Sequence, residues 1–90
     1  MQGTELIKSY IANTPELPGV YRIFDSDKNT IYIGKAKNLK NRLSQYTLEL
    51  KGKNKIMVSL ACYVEYSITE SESAALLLEG QLIKKFKPKS

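Results

Sequence analysis

No histidine and no tryptophan occur in this 90-residue sequence, and cysteine occurs once, at Cys62. Without histidine, a Ser-His-Asp triad, a Cys-His dyad and any His-ligated metal site are excluded within the chain. One cysteine cannot build a thiolate zinc site. A secreted domain this small normally carries several disulfides, so the lone cysteine favours a cytoplasmic location. No apolar run approaches the roughly 18 residues of a membrane span, so no membrane role is expected. The opening residues lack the basic-then-apolar order of a signal peptide. An enzyme made of this chain must move protons with Tyr, Lys, Asp or Glu. Its metal, if it uses one, must be a hard cation held by oxygen, such as Mg²⁺ or Mn²⁺.

What is present describes an ordinary folded domain. Hydrophobic residues make up 42% and charged residues 26% of the chain. Its length fits one domain spanning residues 1–90. The net charge is +5, and its placement is uneven. Lys35, Lys37, Lys40, Arg42, Lys51, Lys53 and Lys55 share one stretch with a single acid, Glu49, and Lys84, Lys85, Lys87 and Lys89 close the chain. Such a surface attracts polyanions by counterion release, which points to nucleic acid, although a solvated lysine-rich face would look the same.

The pattern predicts seven elements. Leu6, Ile7, Tyr10 and Ile11 have the spacing of a short amphipathic helix over residues 4–12. Pro15, Pro18 and Gly19 mark an extended connector over 13–19. Residues 20–24 and 31–33 read as a β-hairpin around the polar turn 25–29. Leu39, Leu43 and Tyr46 predict a helix over 37–46, and Ile56, Met57 and Leu60 form the apolar set of a second over 54–61. Cys62, Val64, Tyr66 and Ile68 alternate with Tyr63, Glu65 and Ser67, the period of a half-buried strand. A last helix starts from Thr69 or Ser71, Thr69 and Glu72 having capping-box spacing, and runs to about Phe86 before Pro88. The order α-β-β-α-α-β-α implies an α+β domain with a small, mostly antiparallel sheet of three strands flanked by helices.

The last helix carries an acid in an unexpected place. At about 100° per residue, Ala75, Leu78, Leu82, Ile83 and Phe86 share one face, and Glu79 falls within it. A carboxylate there needs a partner. Either it pairs with Arg42 or a lysine at the edge of the core, or it projects into a cleft and holds a divalent cation.

Three other features bear on chemistry. Tyr32-Ile33-Gly34-Lys35 reads as a strand end leading into a helix, where free N–H groups beside a lysine suit phosphate. It is not a P-loop. Arg42 is one of only two arginines among fourteen basic residues. Arginine grips a phosphate with two parallel hydrogen bonds; the alternative is a surface ion pair. Tyr21 and Tyr32 lie on paired strands, where tyrosine ordinarily packs. Near Lys35 and Arg42, however, a tyrosine with a lowered pKa can serve as a general base.

Gly19-Val20-Tyr21 and Tyr32-Ile33-Gly34, followed by Lys35-Ala36-Lys37-Asn38-Leu39, Arg42, Tyr46, Leu78-Glu79-Gly80-Gln81-Leu82-Ile83-Lys84-Lys85 and Lys87-Pro88-Lys89, resemble the GIY-YIG nuclease family, most closely its UvrC branch. The resemblance covers about residues 15–89. It implies a metal-dependent DNA endonuclease domain making the 3′-side incision of nucleotide excision repair. It implies that Tyr32 is the general base or orients the water with Tyr21, and that Lys35 keeps that phenol acidic. It makes Arg42 the binder of the scissile phosphate, Tyr46 a hydrogen-bonding group there, and Glu79 the sole protein ligand of one Mg²⁺ or Mn²⁺. Lys35, Lys37, Lys40, Arg42, Lys84 and Lys85 become the DNA-binding residues, and UvrB-type subunits become partners of a longer protein. The isolated domain is expected to be monomeric.

Relatives of that branch place an aromatic residue and then an active-site Asn after the Lys-Pro-Lys segment. Here Ser90 stands at the aromatic position. The expectation is therefore a fragment of a longer protein or a stand-alone relative. Two competing readings are a catalytically silent nucleic-acid-binding module and a structure-selective nuclease of another branch.

Overall fold

A computed structural model describes residues 3–48 and 50–88. The elements are α1 (Gly3–Ile11), β1 (Gly19–Phe24), β2 (Thr30–Ala36), α2 (Leu39–Gln45), α3 (Gly52–Leu60), β3 (Tyr63–Ile68) and α4 (Glu72–Phe86). Their order is the expected one. The three strands form one antiparallel sheet in the order β2-β1-β3.

β1 lies in the middle because both of its faces are apolar. Tyr21 and Ile23 point to one side, where α1, α2 and α3 supply Ile7, Leu39, Leu43, Met57 and Val58, and the C-cap of α2 supplies Tyr46. Val20 points to the other, where it meets Ile33 of β2 and Ala75, Leu78 and Leu82 of α4. The sheet is thus sandwiched between three short helices and one long one. The hairpin closes on Asp25, whose Oδ1 accepts from the backbone N–H groups of Asp27 (3.0 Å) and Asn29 (2.9 Å). Lys28 adopts a left-handed conformation (φ 63°) to make that turn.

Several boundaries differ from the sequence reading, each for a physical reason. β2 runs to Ala36 because pairing with β1 continues to the Gly19–Ala36 register. Lys35 therefore sits inside a strand rather than at a helix start. The first turn of α2 offers no free N–H groups at Leu39, Lys40 and Asn41. Leu39 N–H bonds to Leu17 carbonyl (2.9 Å), Lys40 N–H to Pro15 carbonyl (3.3 Å), and Asn41 N–H to the Asn38 side chain (3.0 Å). The proline-rich connector thus occupies two of the donors that a phosphate at this helix start would need. In α3 the buried pair is Met57 and Val58, while Ile56 and Leu60 are exposed. Only one narrow edge of this helix meets α1. Ile68 and Ile83 are exposed as well. Ser71, not Thr69, caps α4, accepting from Ala74 N–H at 3.0 Å. Thr69 instead gives its hydroxyl to the Ser71 carbonyl (2.8 Å).

Candidate active site

The two glycines of the paired tripeptides are each required by close approach. A Cβ on Gly34 would lie 2.5 Å from the Tyr21 hydroxyl and 2.8 Å from the Tyr32 ring. A Cβ on Gly19 would collide with the Ser67 carbonyl and lie 2.7 Å from Leu39. Tyr21 is paired with Gly34 across the ladder, so its ring folds over the space the glycine leaves. That fold brings three phenols together. The Tyr21 ring centroid is 5.9 Å from that of Tyr32 and 6.0 Å from that of Tyr46, and the Tyr21 and Tyr46 hydroxyls hydrogen-bond at 2.6 Å.

Arg42 of α2 reaches this cluster from the side. Its Nε donates to the Tyr21 hydroxyl (3.3 Å), its Nη1 donates to Gln45 (2.8 Å), and its guanidinium lies 5.4 Å from the centre of the Tyr46 ring. No surface ion pair with Arg42 forms among the described residues. Lys35, Ala36, Lys37, Asn38, Asn41, Arg42 and Gln45 line an open cleft of about 540 Å³ beside it. Lys40, Lys84 and Lys85 do not line that cleft. Lys84 and Lys85 occupy the last turn of α4, with the Lys85 ammonium over the Phe86 ring.

Burial, not activation, dominates the buried phenols. Desolvation pushes the Tyr21 pKa well above the ordinary phenol value, and proximity to Tyr46 adds to it. The bond from Arg42 opposes this but is outweighed. Tyr46 is likewise raised, first by burial. The sequence expectation of a lowered pKa thus fails for Tyr21: it is a neutral phenol at physiological pH. Burial pulls Arg42 down, but its bond to Tyr21 and the neighbouring phenols hold its pKa above the usual guanidinium range.

Glu79 comes from the other layer. Its Oε2 accepts the backbone N–H of Lys35 at 2.8 Å. β2 is an edge strand with β1 on its inner side, so this N–H points outward and would otherwise face solvent. The carboxylate caps the edge of the strand instead of pairing with Arg42 or a lysine side chain. Its other oxygen makes no hydrogen bond or ion pair among the described residues. One residue along the chain, Gly34 lies under Tyr21, which holds Arg42. A continuous path of contacts therefore runs from Glu79 around the edge of β2 to the phenols and the guanidinium.

The same alternation separates Lys35 from the tyrosines. Tyr32 and Gly34 face α2, while Lys35 faces α4 and pairs through Nζ with Glu72 (3.4 Å). Its ammonium is on the acid of the first α4 turn, not on a phenol. Sequence reasoning misses both Glu72 and Gln45 as participants. Their signals are present all the same: Glu72 precedes Glu79 by two helical turns, and Gln45 follows Arg42 by one.

The profile of the UvrC-like GIY-YIG domain matches residues 17–90. The chain belongs to the UvrC-like GIY-YIG family. This GIY-YIG domain is 57% identical over 88 residues to UvrABC system protein C of Rickettsia canadensis, covering 97% of the chain and 14% of that protein. It is 58% identical over 90 residues to the Rickettsia bellii protein of the same name, covering 99% of the chain and 14% of that protein. The chain thus spans about 14% of the length of the relatives it matches. Its fold matches the magnesium-bound GIY-YIG N-terminal endonuclease domain of UvrC from Thermotoga maritima, with a TM-score of 0.85 and 40% identity over 92% of each chain. A point mutant of the Thermotoga domain, bound to its catalytic divalent cation, matches at a TM-score of 0.83 and 41% identity over 92% of each chain. Among the described residues of the GIY-YIG domain, no helix is long and apolar enough to cross a membrane.

Proposed function

We propose that this domain is a divalent-metal-dependent endonuclease that hydrolyses one phosphodiester bond of DNA, making the 3′-side incision of nucleotide excision repair within a longer cytoplasmic protein. Residues 1–90 form its single GIY-YIG domain, monomeric when isolated, and a UvrB-type subunit is the partner of the whole protein. The observation that carries the reading is the path from Glu79 around the edge of β2 to Tyr21 and Arg42.

The metal fits this donor set. Glu79 offers one hard anionic oxygen without a partner among the described residues, and those residues contain no cluster of three or more His, Cys, Asp or Glu. One carboxylate with water filling the other positions suits Mg²⁺ or Mn²⁺ and does not suit zinc. When bound, the cation supplies Lewis-acid stabilisation of the leaving oxygen.

The chain's own residues do the rest. Arg42 stays charged at every physiological pH and grips the scissile phosphate, stabilising charge on its nonbridging oxygens. Tyr32, whose phenol belongs to the same cluster as Tyr21, Tyr46 and Arg42, orients the attacking water and serves as its general base. Tyr21 and Tyr46 fix the guanidinium by hydrogen bond and ring contact. Attack on phosphorus breaks the bond to the 3′ oxygen, leaving a 3′ hydroxyl and a 5′ phosphate. Lys37 and Lys40, with Lys84 and Lys85 further along, bind the flanking backbone electrostatically.

Nicking of a supercoiled plasmid tests this, with the 90-residue chain and with the chain extended to the length of its relatives. Mg²⁺-dependent conversion to the open circle is expected. Binding without cutting in both, under every divalent ion, would leave only the silent binding module.

A further inference from the structure

Lys35 is held by α4 at two points. Its backbone N–H goes to Glu79, and its ammonium goes to Glu72 at 3.4 Å. The two acids lie two turns apart on one face of the helix, so a single strand residue is clamped by both. The Glu79 bond uses a backbone donor that no ligand could replace from the cleft. The Glu72 bond is different in kind. Its two side chains are 35% and 50% exposed, and its distance is long for a charge-assisted hydrogen bond. Exposed pairs of this sort are weak and easily exchanged. Lys35 is also one of the residues lining the cleft beside Arg42.

We propose that Glu72 is a positioning residue that parks the Lys35 ammonium on α4 until a DNA phosphate displaces it. The inference rests on the reading of this site as a DNA-cleaving one and adds a residue that tunes its encounter with substrate. In the free protein, Glu72 neutralises the ammonium of a residue that lines the cleft. In the complex, Lys35 turns to the phosphate, and Glu72 is left to recruit a cation from solution. Wild type therefore releases fewer net counterions on binding than its lysines alone would. Nothing covalent is involved: one ion pair is exchanged for another.

The consequence is an unusual sign. Removing the acid should strengthen DNA binding without adding any contact. A small set of variants separates this from a general charge effect. Glu72→Gln keeps the helix and frees Lys35. Glu70→Gln removes the same charge from an exposed residue nearby that has no link to Lys35. Lys35→Ala, alone and combined with Glu72→Gln, closes the double-mutant cycle.

The experiment measures fluorescence-anisotropy binding of a labelled duplex across a potassium chloride series, without divalent ions so that the strand stays intact. Glu72→Gln should bind about two- to fivefold more tightly than wild type, the scale of one exposed pair. The slope of log K against log salt should steepen by close to one. Glu70→Gln should move affinity less and leave the slope unchanged. In the Lys35→Ala background, Glu72→Gln should act no more strongly than Glu70→Gln. A gain that persists without Lys35, or a Glu72→Gln protein that matches Glu70→Gln, would overturn the proposal while leaving the nuclease reading intact. A wild type that neither bound nor nicked DNA would remove the nuclease reading and this inference with it.

Discussion

The hydroxyl oxygens of Tyr21 and Tyr46 lie 2.6 Å apart inside the core, and the Tyr21 oxygen also accepts from Arg42. One buried phenol therefore ties strand β1 to the last turn of α2 and to its C-cap. Tyr21→Phe keeps the ring over Gly34 and removes both bonds. It should destabilise the domain by about 1 kcal/mol, a drop in Tm of roughly 4–8 °C for a chain this size. Nicking should fall further than the stability loss explains, because Arg42 loses the acceptor that aims it. Thermal denaturation beside single-turnover nicking separates the two effects.

The same burial sets a pH dependence. Tyr21 and Tyr46 both have pKa values raised in the folded state, first by desolvation. A raised value means the folded phenol holds its proton after the unfolded one has released it. Stability is therefore full below the ordinary phenol value and is lost as pH climbs past it. Tyr21 should contribute a decline approaching about 1.4 kcal/mol per pH unit above pH ~10, and Tyr46 should steepen it. Urea titrations from pH 8 to 11 should show that loss, and a Tyr21→Phe, Tyr46→Phe protein should show a flatter curve. An equally steep decline without the two hydroxyls would assign the effect elsewhere.

Gly34→Ala should be among the most damaging small changes. Its methyl group would meet the Tyr21 ring at 2.6 Å and the Tyr32 ring at 2.8 Å. Both rings are fixed, one by the core and one by the strand. Overpacking of this kind costs about 1–3 kcal/mol and should displace the phenols. Denaturant unfolding gives the stability, and nicking the functional loss. Gly80→Ala is the control: a Cβ there meets nothing within 4 Å. In the middle of α4 it should stabilise by about 1 kcal/mol.

Glu79→Gln isolates chemistry from folding. A glutamine carbonyl can still accept from Lys35 N–H, so stability should change by less than about 0.5 kcal/mol. Nicking should fall by about 10²–10³-fold or more, since the charged oxygen is gone. A variant that unfolded instead would make the carboxylate a structural cap only.

Much of this is legible in the amino-acid sequence. Element order, sheet composition and the apolar faces around Leu39, Leu43 and Val64 follow from periodicity, because helices and strands each bury regularly spaced positions against a sheet. Glu79 stands out because an acid in an apolar stripe needs a partner. Its partner is not legible: a backbone N–H at a sheet edge has no residue-type signature. The extension of β2 through Lys35 is hidden because Gly34 reads as a terminator, whereas in the fold it makes room for Tyr21. The raised pKa of Tyr21 is hidden for a related reason. Proximity to a cation can be guessed from spacing, but depth of burial depends on three helices distant in sequence.

The site works as a nuclease only if Glu79 holds the cation beside the phenol–guanidinium cluster. Anomalous diffraction from crystals soaked in Mn²⁺ tests this directly. A peak at about 2.0–2.2 Å from the free oxygen of Glu79, on the outer edge of β2 and absent in Glu79→Gln crystals, is the predicted result. A peak held by other residues, with Glu79 still bonded only to Lys35, would contradict it.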